Sequence, residues 1–288
     1  MSPNTLGAVL MMASMAAFTL NDTLIKLTQG AMPLAQLLFL RGVLSTVLIY
    51  ALARYLGSLR FEVARRDWWL IGLRAATEVG AAYFFVTALL NMPLANVTAI
   101  LQALPLTVAV AAALVFREPL GWRRMSAILI GFMGMLLIVR PGGDGFSLWS
   151  AYALMAVVCV TVRDLATRRL SADVPSMTVT LVSSLVVTLS FGAASIVTEW
   201  VPVTWLLAAL IAGASVFIMG AYFFSIRAMR VGDIGFIAPF RYTGLVWALV
   251  LGWLVFGDWP SNLTLLGALI VVATGLFTLY RERKVSQR

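Results

Sequence analysis

Charged side chains are scarce in this chain, and several of them fall inside apolar runs that should exclude them. Asp22 and Lys26 stand four apart near the end of the first run, and Asp164 and Arg168 stand four apart near the end of the sixth. Arg74 precedes Glu78 by four within the third run. Arg41 and Arg241 have no carboxylate three or four positions away on their own segment. Counting a helical rise of about 1.5 Å per residue, Arg41, Glu78, Gln102 and Arg241 come near the middle of their runs. An ionised side chain at the centre of a bilayer costs about 2.5–3.5 kcal/mol, so such residues point to binding, gating or ion coupling. Guanidinium forks suit an anion or a carbonyl-rich ring, and Gln102 adds an amide that both donates and accepts. Arg41, Arg74 and Arg241 outnumber Glu78, which leaves the deep set positive. Tyr83, Tyr222 and Tyr242 supply aromatic faces with a hydroxyl that needs a partner at depth. Two readings stay open for these groups. Glu78 either pairs with Arg74 along the helix or meets a solute or a coupled proton. Arg41 and Arg241 either bridge to another helix or face a cavity. The pairs Asp22 with Lys26 and Asp164 with Arg168 fit gates or helix-end networks, near opposite surfaces.

The elements that position these residues follow from composition. Of 288 residues, 61% are hydrophobic and 11% charged, with a mean hydropathy of +0.96. A soluble domain of this length would carry about 25% charged residues, so the medium around the chain is lipid. Spanning helices need about 20 predominantly apolar residues each. Ten such runs are expected, at 5–27, 33–55, 68–90, 93–116, 122–139, 147–168, 175–198, 204–227, 231–256 and 261–280. They leave no room for a soluble domain. The start lacks a basic n-region and a cleavage site, so the first run is expected to be retained. Absence of histidine removes histidine triads, metal sites and proton relays. The glycine-rich stretch 141–145 lacks the lysine and hydroxyl of a P-loop and reads as a linker. Cys159 is the lone cysteine, so an internal disulfide is excluded. No enzyme constellation and no cofactor or metal site is expected.

The two halves repeat each other. Asp164 follows Asp22 by 142 positions, Val255-Phe256-Gly257-Asp258 follows Val115-Phe116-Arg117-Glu118 by 140, and Ala221 to Phe224 repeats Ala82 to Phe85 at 139. Five runs then five more must cross in opposite senses, the inverted repeat typical of secondary transporters. The expected architecture is all-α and polytopic, with repeats at 1–140 and 147–288. Fifteen of the 21 basic residues lie in connections or tails on the side of the N-terminus, against Lys26 and Arg140 on the other. Short basic loops stay cytoplasmic, so both termini are expected inside. The excess of +9 is therefore a topology signal, and no nucleic-acid partner is expected. Pro105 and Pro239 interrupt the fourth and ninth runs at near-corresponding places; paired interruptions point to a binding site and offer hinges. The fifth and tenth runs are almost free of polar residues and should face lipid or a second copy, leaving a homodimer open.

Ten runs as five plus five, short loops and the paired endings Val-Phe-Arg-Glu-Pro and Val-Phe-Gly-Asp resemble the EamA branch of the drug/metabolite transporter superfamily. Asn21-Asp22 with Lys26, Arg163-Asp164 with Arg168, and Ala238-Pro239-Phe240-Arg241-Tyr242 look like the riboflavin and S-adenosylmethionine uptake subgroup. The runs Leu-Gln-Ala-Leu-Pro at 101–105 and Arg-Asp-Leu-Ala-Thr-Arg-Arg at 163–169 lean towards its riboflavin members. The resemblance implies a multi-pass carrier of the bacterial inner membrane that takes a small solute, flavin-like first, with export of amino acids or drug-like compounds and S-adenosylmethionine transport as alternatives. An intramembrane enzyme is the remote alternative.

Overall fold

The structure is a computed structural model, described at residues 2–57, 59, 61–117, 122–139, 147–171, 173–231 and 234–286. Glu118, Arg140, Asp233 and the linker 141–145 lie outside the described residues. Helix follows helix throughout: α1 (Pro3–Lys26), α2 (Leu34–Tyr55), α3 (Arg65–Asn91), α4 (Leu94–Leu101), α5 (Leu104–Phe116), α6 (Trp122–Val139), α7 (Leu148–Arg168), α8 (Ser176–Ser195), α9 (Trp205–Val231), α10 (Ile234–Ile237), α11 (Thr243–Phe256) and α12 (Asn262–Ser286). A 3₁₀ turn, Ala238–Tyr242, joins α10 to α11. No strand occurs among the described residues.

Local chemistry explains the boundaries. Pro33, Pro93 and Pro175 each stand immediately before a helix, where the fixed φ starts a helix and the missing N–H costs nothing. Two helices of the repeat end alike. After Val115-Phe116 the chain turns at Arg117 with φ 56°, and after Val255-Phe256 it turns at Gly257 with φ 69°. Glycine suits that left-handed cap, whereas arginine adopts it at a cost of about 1–2 kcal/mol.

Among the described residues, eight helices are long and apolar enough to cross a membrane, with α4–α5 and the 3₁₀ turn with α11 each counted as one. Met125–Val139 and Asn262–Thr278 are shorter apolar helices. Of the ten expected spans, eight therefore have spanning length by composition. The chain is a multi-pass membrane protein. Large apolar side chains such as Leu129, Met133, Leu189 and Leu254 remain more than half exposed, as lipid-facing positions should.

The packing repeats when the halves are exchanged. α1 packs on α9 and α3 on α7, while α2 packs on α8, α4 on α11 and α6 on α12. Counted as apolar runs, the first meets the eighth and the sixth meets the third, which is one contact and its mate. The pairs run antiparallel. Gln36, early in α2, bonds to Val201 beyond α8, and Thr46, further along, bonds to Ser184 at 2.8 Å. Ser14 donates to the Ala221 carbonyl at 2.8 Å across α1 and α9. α6 and α12 meet at glycines: a Cβ on Gly267 would lie 2.5 Å from the Gly134 carbonyl oxygen.

Both interruptions appear where proline was expected to place them. α4 ends at Leu101 with Gln102 as its cap, and Pro105 sits in the first turn of α5. Pro239 sits in the 3₁₀ turn before α11. The two breaks meet, since a Cβ on Gly244 would lie 3.7 Å from Gln102 Nε2.

Candidate functional site

A cavity of about 520 Å³ opens between the two halves. Its wall gathers Asp22 from α1, Arg41 from α2, Glu78 from α3, Arg163, Asp164 and Arg168 from α7, Tyr222 from α9, and Arg241 and Tyr242 from the 3₁₀ turn. Gln102 and Pro105 line it from the broken helix. Four arginines and three carboxylates thus share one chamber, which leaves it a single net positive charge. Phe18 and Phe85 add apolar faces, and Phe18 meets Tyr222 edge-on with centroids 5.6 Å apart. The size lies within the roughly 300–1,000 Å³ range of small-molecule sites.

Helical spacing explains who reaches the wall. On α3 the lining residues Glu78, Ala82, Phe85 and Leu89 recur at three- and four-residue steps. On α7 the same steps carry Ala156, Val160, Arg163 or Asp164, and Arg168.

The charges form an ordered network. Arg163 Nη1 lies 3.3 Å from Glu78 Oε1, and its Nη2 lies 2.8 Å from Asp164 Oδ1. Arg163 Nε also donates to Asp164 Oδ1 at 2.9 Å. Arg74 is 3.9 Å from Glu78 along α3, and it also donates to Ser183 and, at 3.0 Å, to Thr167. The expected Arg74–Glu78 contact therefore exists but is the looser of the two on Glu78. In the other half Asn21 Nδ2 donates to Asp22 Oδ1 at 2.8 Å. Asn21-Asp22 and Arg163-Asp164 thus hold the same bond to the following carboxylate, at equivalent places in the repeat.

Arg41 differs from the rest. Its Nε is buried and has no hydrogen-bond partner. Arg241 lines the cavity and is exposed. Tyr242 lines it as well, but its hydroxyl is buried against Gly275 of α12 without a hydrogen-bond partner.

Three expected residues lie elsewhere. Tyr83 is absent from the cavity wall and 41% exposed, with its ring against Phe84 and Tyr152. Lys26 does not pair with Asp22: its Nζ donates to the carbonyls of Leu89 and Met92 at 3.0 and 2.9 Å and lies over the Phe256 ring. Those carbonyls close α3, where the helix leaves them without internal partners. Pro239 sits in the interruption but not on the wall. Arg168 lines the wall with its guanidinium over the Phe116 ring. Arg163 was missed as a site residue, although it was one of four arginines inside the runs. Among the described residues, no group of three or more acidic or cysteine side chains could hold a metal ion.

A multi-pass helical protein with a charged chamber between pseudo-symmetric halves is the class that fold and site define. The chain belongs to the EamA-like transporter family, whose description matches residues 5–140 and 147–280. It is 23% identical over 284 residues to the S-adenosylmethionine uptake transporter of Rickettsia prowazekii, covering 96% of this chain and 94% of that one. It is 28% identical to the riboflavin transporter of Vibrio cholerae, at 98% and 95% coverage. It is 26% identical to a pseudopaline exporter of Pseudomonas aeruginosa, at 96% and 97%. A solved crystal structure shares the fold with a TM-score of 0.65 at 21% identity, covering 96% of this chain and 98% of that chain. The protein is a transporter of a small molecule and not an enzyme, as its family and relatives show.

Proposed function

We propose that this chain is a secondary carrier that takes up riboflavin across the bacterial inner membrane by alternating access. The observation that carries the reading is Arg41, whose buried Nε lacks a partner on the wall of a chamber that also holds Phe18, Phe85 and Tyr222. A planar ring with carbonyl groups would accept from the guanidinium while stacking on the aromatic faces. Gln102, Arg241 and Glu78 are the further contacts in this reading, with Tyr242 contributing its ring. Asp22, Asp164 and Arg168 serve as gates, and Pro105 and Pro239 as hinges.

The transport cycle in this proposal rocks two inverted five-span repeats, 1–140 and 147–288, with all ten spans crossing and both termini cytoplasmic. The paired contacts across the halves and the basic residues of the connections support it. A homodimer through the outer faces of α6 and α12 belongs to the same proposal, and the mass of the protein in detergent checks it.

A riboflavin-requiring bacterium without its own importer should grow on low riboflavin when it expresses this chain. No growth, with membrane expression verified, overturns the flavin reading. A second reading draws on the three carboxylates in the chamber. Asp22, Glu78 and Asp164 give an ammonium or sulfonium group somewhere to sit, which fits a zwitterion such as S-adenosylmethionine or an amino-acid-like export solute. Uptake of labelled S-adenosylmethionine without uptake of riboflavin would favour it.

A further inference from the structure

A second, smaller cavity of about 90 Å³ lies between α2, α3, α8 and α9 and shares Arg41, Glu78 and Tyr222 with the wall of the large chamber. It is built by helical spacing: Arg41 with Ser45, Arg74 with Glu78, and Thr180 with Ser183 and Ser184. We propose that it binds a small monovalent anion, of which chloride is the abundant example.

Arg41 Nε and Ser45 Oγ are both buried without a partner, and Ser45 is 7% exposed. Ser183 is 3% exposed and accepts from Arg74 Nη1. The acceptor charge on this wall is Glu78, which faces Arg163 at 3.3 Å and Arg74 at 3.9 Å. An orphaned buried donor costs about 1–3 kcal/mol, so two on the wall of one small space favour an acceptor ligand. Water would bring two further protons in need of acceptors. A halide brings none and meets two guanidiniums. The volume and the offsetting Glu78 charge select against a larger or multiply charged anion. Because Arg41 also lines the large chamber, anion occupancy would compete with solute for its guanidinium.

The proposal does not depend on the identity of the transported solute and is tested without one. Chloride binding to the purified protein in detergent is read by line broadening of the chloride resonance, with bromide as competitor and acetate as the carboxylate control. Saturable broadening that bromide reverses and acetate does not is the expected result. Ser45→Ala and Ser183→Ala should each weaken it about tenfold, as loss of a hydrogen bond to a charged ligand would. Both variants should elute as folded monodisperse protein, and Ser126→Ala, on the exposed face of α6, should bind as the parent does. No saturable broadening in the folded parent protein overturns the proposal. So does binding by both serine variants that equals the parent's, and so does reversal by acetate, which would assign the cavity to a carboxylate of the solute.

Discussion

Arg163 joins the two halves through Glu78 on α3 and Asp164 beside it on α7, and the strength of that link can be worked from its geometry. At 3.3 Å, an ion pair in a medium of effective dielectric about 20 gains about 5 kcal/mol by Coulomb's law. Both side chains are mostly buried, at 24% and 21% exposure, so desolvation offsets most of that gain and leaves a net coupling of about 1–2 kcal/mol. Arg74 reaches the same carboxylate at 3.9 Å from one turn away and is partly committed to Ser183 and Thr167, so its coupling should be about 0.3–0.5 kcal/mol. Two double-mutant cycles separate them: Arg163→Gln with Glu78→Gln, and Arg74→Gln with Glu78→Gln. The assay is reversible unfolding by dodecyl sulfate in mixed micelles, followed by tryptophan fluorescence. A coupling under about 0.3 kcal/mol for Arg163, within the error of additivity, would refute the assignment. A larger coupling for Arg74 than for Arg163 would reverse it.

Two further perturbations probe the scaffold and the site in the same unfolding assay. Gly267→Leu forces a side chain against the Gly134 carbonyl and Ile138, 2.5 and 2.8 Å from its Cβ, and should destabilise the protein by about 1–3 kcal/mol; an unchanged midpoint would mean that α6 and α12 do not pack as described. Tyr242→Phe removes a buried hydroxyl without a partner and should leave stability unchanged or raise it by up to about 1–3 kcal/mol. A loss of more than about 0.5 kcal/mol would show that the hydroxyl has a partner.

Depth along the membrane was legible in the sequence; rotation about each helix was only half so. Tyr83 and Tyr222 match at a spacing of 139, yet only Tyr222 lines the chamber. Counting from Glu78, Tyr83 is five residues on, about 140° around the helix, whereas Ala82 and Phe85 stay within about 40° of the cavity face. That phase could have been read once Glu78 was taken as facing inward. Arg163 is a different omission. It stands three residues after Val160 and seven after Ala156 on the lining face of α7, but its carboxylate Glu78 is 85 positions away and only the packing of α3 on α7 brings them together. Lys26 shows that spacing permits a pair without requiring it, since open carbonyls at the end of α3 compete for the ammonium. The prolines were legible because their effect is local: inside a helical run, a missing N–H interrupts the ladder and starts a new helix.

The central claim is that solute crosses through the chamber around Arg41. The direct measurement is uptake by proteoliposomes of a panel of riboflavin, S-adenosylmethionine and an amino acid, with the parent protein and Arg41→Gln reconstituted side by side at equal folded amounts. The parent should move at least one of these solutes, and Arg41→Gln should lose that movement. Equal uptake by both proteins would contradict the claim.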